Sequence, residues 1–129
     1  MNAMWKGVWA AAVICAATAA VDAVQQSSLA TRREPQFENA EVRVWKSIIM
    51  PNQPLSLHRH DHGRTIVAIK GGTLDVVDAS GATKEKMTWE SGKAYWLDAD
   101  PANVQHGDMN RGKQPMEVIV VELKNDVGK

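Results

Sequence analysis

Across residues 41–123, short β-prone segments follow one another with turn residues at each junction, and no helical periodicity interrupts them. Val42, Val44, Trp45, Ile48 and Ile49 form a β-branched and aromatic stretch that Pro51-Asn52-Gln53-Pro54 closes. Residues 55–60 alternate, residues 65–69 are β-branched, and Gly71-Gly72 separates them from residues 73–77. A turn at Asp78-Ala79-Ser80-Gly81 leads into residues 83–89, and Glu90-Ser91-Gly92 ends that segment. Residues 94–97, 106–110 and 116–123 complete the set, with Arg111-Gly112-Lys113-Gln114-Pro115 between the last two. Seven or eight short strands at such spacing argue for an all-β sandwich or barrel. In residues 117–123 both faces are apolar, so that strand is either central or covered by a second subunit.

The chain begins differently. Lys6 precedes an apolar run over residues 8–21, and small residues follow at Ala17-Thr18-Ala19 and Val21-Asp22-Ala23. These are the parts of a secretory signal peptide over residues 1–23, and the run is shorter than the roughly 18 residues of a membrane span. The expectation is an exported protein, periplasmic or secreted, cut after Ala19 or Ala23 and free of the membrane thereafter. Residues 24–40 are polar and Gln/Ser-rich, a linker or N-terminal arm, and residues 41–125 form the folded domain. Cys15 is the one cysteine and lies in the signal, which leaves the mature chain no disulfide and no thiolate ligand. Fifteen basic side chains balance fifteen acidic ones, and Arg32-Arg33 is answered at once by Glu34. Nucleic-acid binding has no support.

All four histidines lie in the domain, three of them in His58-Arg59-His60-Asp61-His62. Side chains two apart on a strand share a face, so His58 and His60 lie together with Ser56, while Leu55, Leu57 and Arg59 take the opposite face. Two imidazoles side by side on the inner wall of a barrel are costly to bury without a partner. A divalent metal is such a partner, and imidazole suits iron, zinc, nickel and copper alike.

The spacing resembles that of the cupin superfamily, whose first motif is G(X)5HXH(X)3-4E(X)6G and whose second is G(X)5PXG(X)2H(X)3N. Here His58-x-His60 is followed by three residues to Arg64 and six more to Gly71. Arginine stands where the family has its glutamate, and Asn52 stands where it has its leading glycine. Gly92 opens the second motif and His106-Gly107-Asp108-Met109-Asn110 ends it, with the intervening stretch three residues longer and Pro101 displaced. The resemblance implies a small double-stranded β-helix, the jelly-roll barrel of a single-domain cupin. It also implies one divalent transition metal (iron, zinc, nickel, manganese or copper) held by His58, His60 and His106. Three-histidine sites of this kind occur in the superfamily's thiol and diketone dioxygenases.

Arg64 cannot be a ligand, because a guanidinium stays protonated and offers no lone pair. Pointing inward, it would clamp a carboxylate or other planar anion of a substrate. Turned outward, it would pair with Asp61 or Asp108. His62, between Asp61 and Gly63, is either a second group for substrate or an exposed loop residue. Asn110 is expected to support a strand end. Two functions remain open: a metalloenzyme, oxygenase- or isomerase-like, acting on a small anionic molecule, or a non-catalytic small-ligand or metal-binding cupin. Leu55 and Leu57 on the outer face, with the two-sided strand 117–123, point to a homodimer.

Overall fold

The computed structural model describes residues 29–126. The signal segment expected at residues 1–23 lies outside them, as do the first five residues of the arm, 24–28. Eight strands make up the described residues: β1 (Arg32–Glu38), β2 (Val42–Ile49), β3 (Arg64–Lys70), β4 (Gly72–Val77), β5 (Thr83–Trp89), β6 (Ala94–Leu97), β7 (Gly107–Asn110) and β8 (Met116–Leu123). They form a five-stranded sheet in the order β1-β2-β8-β3-β6 and a three-stranded sheet in the order β5-β4-β7, antiparallel throughout. The protein is all-β, as its turn-punctuated sequence requires.

Period-two alternation decides which residues enter the space between the sheets. Ile66 and Ala68 of β3 and Met116, Val118 and Val120 of β8 are buried, and they pack with Trp45, Ile49, Leu55, Leu74 and Trp89 in one core. Each fully buried Ile or Val contributes about 1.5–3 kcal/mol relative to exposure. The two-sided strand, β8, is central, flanked by β2 and β3.

Two segments differ from the sequence reading. Residues 24–40, read as a linker or arm, contain β1, an edge strand paired with β2. Its side chains are half-buried or exposed and it carries Pro35, so no apolar alternation marks it; the register shifts between Pro35 and Phe37. Conversely, residues 55–60 do not form a ladder. Leu55 N–H donates to Asp108 O (2.9 Å), and only His58 forms a bridge, exchanging two 2.9 Å bonds with His106. The next backbone partners lie in another loop: Asp100 N–H donates to His60 O at 2.8 Å, and His60 N–H to Asp100 Oδ2 at 2.7 Å. Because the segment is not a straight strand, Leu55 turns into the core instead of the outer face, while Leu57 stays exposed.

The departures from motif glycines have local explanations. Asn52 adopts φ 57°, the left-handed region that glycine favours and asparagine tolerates. At Gly71, where the motif keeps its glycine, a Cβ would come within 2.0 Å of the Trp89 carbonyl oxygen.

Asn110, 1% exposed, joins the two sheets. Its Nδ2 donates to Ile49 O at the end of β2 (2.9 Å) and to Gln114 O (2.8 Å), and its Oδ1 accepts from Gly112 N–H (2.9 Å). Replacing Asn110 with alanine leaves the buried Ile49 carbonyl without this donor. The expected cost is about 2–3 kcal/mol of stability, read from the urea midpoint at unchanged slope.

Candidate metal centre

His58 and His106 face each other across the single bridge, their ring centroids 4.5 Å apart. The His60 ring lies 4.9 Å from His58 and 5.8 Å from His106. Each of the three offers a ring nitrogen within 4.8 Å of the others, close enough to hold one metal ion. His106 therefore arrives as the sequence requires, from the segment directly beside His58, although it follows His58 by 48 positions in the chain (58 to 106).

The other face of each imidazole shows which nitrogen is offered. His58 Nδ1–H donates to the Ser56 carbonyl oxygen at 2.7 Å, an acceptor that fixes the tautomer. His60 Nδ1 lies 2.6 Å from Glu122 Oε2, and His106 Nδ1 lies 3.4 Å from Asp100 Oδ2. All three Nδ1 atoms face protein oxygens, leaving Nε2 free to converge; histidines that ligate metals are oriented in this way. His58 Nε2 is buried and has no hydrogen-bond partner. Burial lowers the His58 pKa to about 4, against the opposing pull of the Ser56 carbonyl and the Asp108 charge. Its imidazole is thus neutral at neutral pH, with a lone pair available.

Trp45 supports His60 from behind, with parallel rings whose centroids are 6.0 Å apart. A small cavity of about 30 Å³, room for one water or ion, is bordered by His60, His106, Asp108, Arg64, Trp45 and Arg33. The three imidazole donors, the unpartnered His58 Nε2 and the size of this space fit a transition metal.

Arg64 shares the inward face of β3 with Ile66 and Ala68, and it is 5% exposed. Neither Asp61 nor Asp108 is its partner. Nη1 donates to the Asp98 carbonyl oxygen at 3.0 Å and Nη2 to Asp100 Oδ1 at 3.5 Å. The guanidinium is inside the barrel, tethered to the 98–100 loop. Asp100 thereby gathers Arg64, the His60 backbone and the His106 ring. His62 goes elsewhere: its Nδ1 lies 2.5 Å from Asp126 Oδ1, and Asp126 Oδ2 accepts from Gly63 N–H at 2.6 Å. It is not one of the three converging histidines.

The sequence assigned no carboxylate to the histidines and named Asp108 only as an outward partner for Arg64, yet three surround them: Asp100, Asp108 and Glu122. Glu122 is the direct cross-strand partner of Arg64, so the acid lost from the motif position has a counterpart one strand away. An alternation count from Val118 and Val120 would have turned Glu122 inward; Asp100 lies in a loop and left no such signal.

No family model matches the sequence, and no curated protein matches it significantly. Solved structures do match. A cupin domain from Bordetella pertussis Tohama I aligns with a TM-score of 0.63 at 20% identity, over 74% of this chain and 94% of that one. A protein with a double-stranded β-helix domain from Klebsiella pneumoniae aligns at 0.54 and 22% identity, over 77% and 81%. An RmlC-like cupin family protein with a double-stranded β-helix fold, from Methanocaldococcus jannaschii, aligns at 0.56 and 14%, over 74% and 81%. This chain has the cupin fold. Within this barrel His58, His60 and His106 lie close enough to hold one metal ion.

The Glu122 carboxylate holds the His60 ring. Glu122→Ala should lower the affinity for Zn²⁺ or Co²⁺ by about 10–100-fold, measured by competition with a chromophoric chelator. An unchanged affinity would show that Trp45 packing alone orients His60.

Proposed function

We propose that the protein is an exported small cupin that binds one divalent transition metal through His58, His60 and His106 and acts on a small anionic molecule beside it. The observation that carries this reading is the buried His58 Nε2, unpartnered and facing two further imidazoles. Such a metal supplies Lewis acidity or redox chemistry at positions left open to substrate.

A cavity of about 430 Å³ reaches His106 and Arg64 and is walled by Val76, Val77, Met87 and Val104. Apolar walls with few polar groups at one end suit a small molecule with an anionic head. Lys84 lies at the same cavity. Two of the five N–H donors of Arg64 contact Asp98 and Asp100, and the Asp100 contact, at 3.5 Å, is long for a charge-assisted bond. The guanidinium therefore keeps capacity for a ligand carboxylate. A larger cavity, about 500 Å³, borders Glu122, Trp45 and Phe37 and does not include a histidine; the site next to His106 is the better substrate pocket. An oxygenase- or isomerase-like reaction is the enzyme form of this proposal. The commitment of Asp100 and Glu122 to the histidines favours a second reading, a non-catalytic metal- or ligand-binding cupin, because neither acid is then free as a general base. A homodimer in the periplasm or outside the cell belongs to the same proposal.

Elemental analysis of untagged protein, purified without added metal, should find about one transition-metal ion per chain. His106→Ala should lose it while keeping its far-UV circular dichroism. In metal-loaded protein, Arg64→Gln should weaken calorimetric binding of propionate, a small monocarboxylate probe, by at least about tenfold. Failure of the wild type to take up any of these metals after reconstitution would end the reading.

A further inference from the structure

Three carboxylates surround the histidines, and they differ in which ring nitrogen they face. Glu122 stands at Nδ1 of His60, and Asp100 at Nδ1 of His106. Asp108 stands at the other edge. Its Oδ2 is 3.6 Å from His58 Nε2, and its Oδ1 is 3.8 Å from His106 Nε2. Both distances are too long for hydrogen bonds, and His58 Nε2 accordingly has no partner. They are the distances at which two atoms share an ion. Ligands at about 2.0–2.2 Å from one metal lie about 3–3.5 Å from each other, so a closure of a few tenths of an ångström suffices.

Resting on the metal-binding reading above, we propose that Asp108 is a fourth protein ligand, a carboxylate that replaces the glutamate lost at Arg64. The fold places it for this task. Asp108 follows His106 by two residues on entering β7, so both side chains leave the same face of the chain. Its side chain is only 15% exposed and borders the small cavity with His60, His106 and Arg64. Among the described residues no lysine or arginine forms an ion pair with it; its two nearest titratable neighbours are the imidazoles of His58 and His106, with Arg33 acting on it at longer range. Each of the other two acids has a different duty, since Asp100 accepts from the His60 backbone and Arg64 and Glu122 accepts from His60.

The charge balance supports the same assignment. Arg64 beside a three-histidine site would leave a divalent ion facing a fixed positive charge with no ligand charge to offset it. A ligating carboxylate at 108 restores the anionic donor from the strand on the other side of His106.

The test compares Co²⁺ binding to the untagged wild type, Asp108→Asn and Asp108→Ser, each checked for folding by circular dichroism. Co²⁺ affinity comes from chelator competition and the ligand field from the visible spectrum. The wild type should bind one Co²⁺, and Asp108→Asn should weaken binding at least about tenfold and change the visible bands. If Asp108→Asn does not fold, Asp108→Ser carries the same comparison. Wild-type affinity and spectrum in the variants would overturn the Asp108 assignment and leave the three-histidine site standing. Absence of Co²⁺ binding in the wild type would overturn both.

Discussion

The site depends on one backbone contact, the pair of 2.9 Å hydrogen bonds by which His58 and His106 bridge. Residues 55–60 have no ladder of their own, so nothing else of comparable regularity fixes their position against β7. The bridge sets the two rings opposite each other. The Asp100 clasp on the His60 backbone then sets the third ring, because it fixes the segment two residues further on. Only with both in place do three imidazoles lie close enough to share one ion. An ion bound there would add a link between the 55–60 segment and β7, coupling metal occupancy to the order of that segment.

Much of this was legible in the residues. The strand count, the pairing of His58 with His60 and the return of His106 followed from turn spacing and motif intervals. These are local signals, and the barrel preserves them. Arg64 was legible as a non-ligand because guanidinium chemistry excludes it wherever it points. What the sequence hid was longer in range. β1 is polar on both faces and contains a proline, so only its pairing with β2 defines it. Leu55 was assigned to the outer face by an alternation that the segment does not obey. Asp100 lies 40 residues from His60 and Glu122 lies 62 residues from it, and no motif interval joins them. His62, adjacent to the histidine pair in sequence, is drawn away by Asp126 near the end of the described chain.

Replacing an acid by arginine in a cation site normally costs affinity twice, by losing a ligand and by adding repulsion. Here the guanidinium does not approach bare. The Asp98 carbonyl and Asp100 receive it, and Glu122 stands opposite on β8. Arg64 has thus become part of the support for the loop that carries Asp100, and through Asp100 it acts on the His60 backbone. Restoring glutamate at 64 would set a carboxylate against the Asp98 carbonyl and Asp100, removing the cation that both oxygens face. Motif repair by this single change therefore conflicts with the packing around it.

The position of the carboxylates also bears on chemistry. An acid behind an imidazole raises the basicity of the ring and holds its direction, whereas an acid in front competes with substrate for the ion. Glu122 and Asp100 are of the first kind, and Asp108, at the Nε2 edge of two rings, is of the second. A metal held by three imidazoles and one carboxylate would supply Lewis acidity or redox chemistry with room left for a substrate. A cavity reaches His106, Arg64 and Asp100. In the proposed centre Arg64, which borders this cavity, would give an incoming anion a partner that a glutamate there could not.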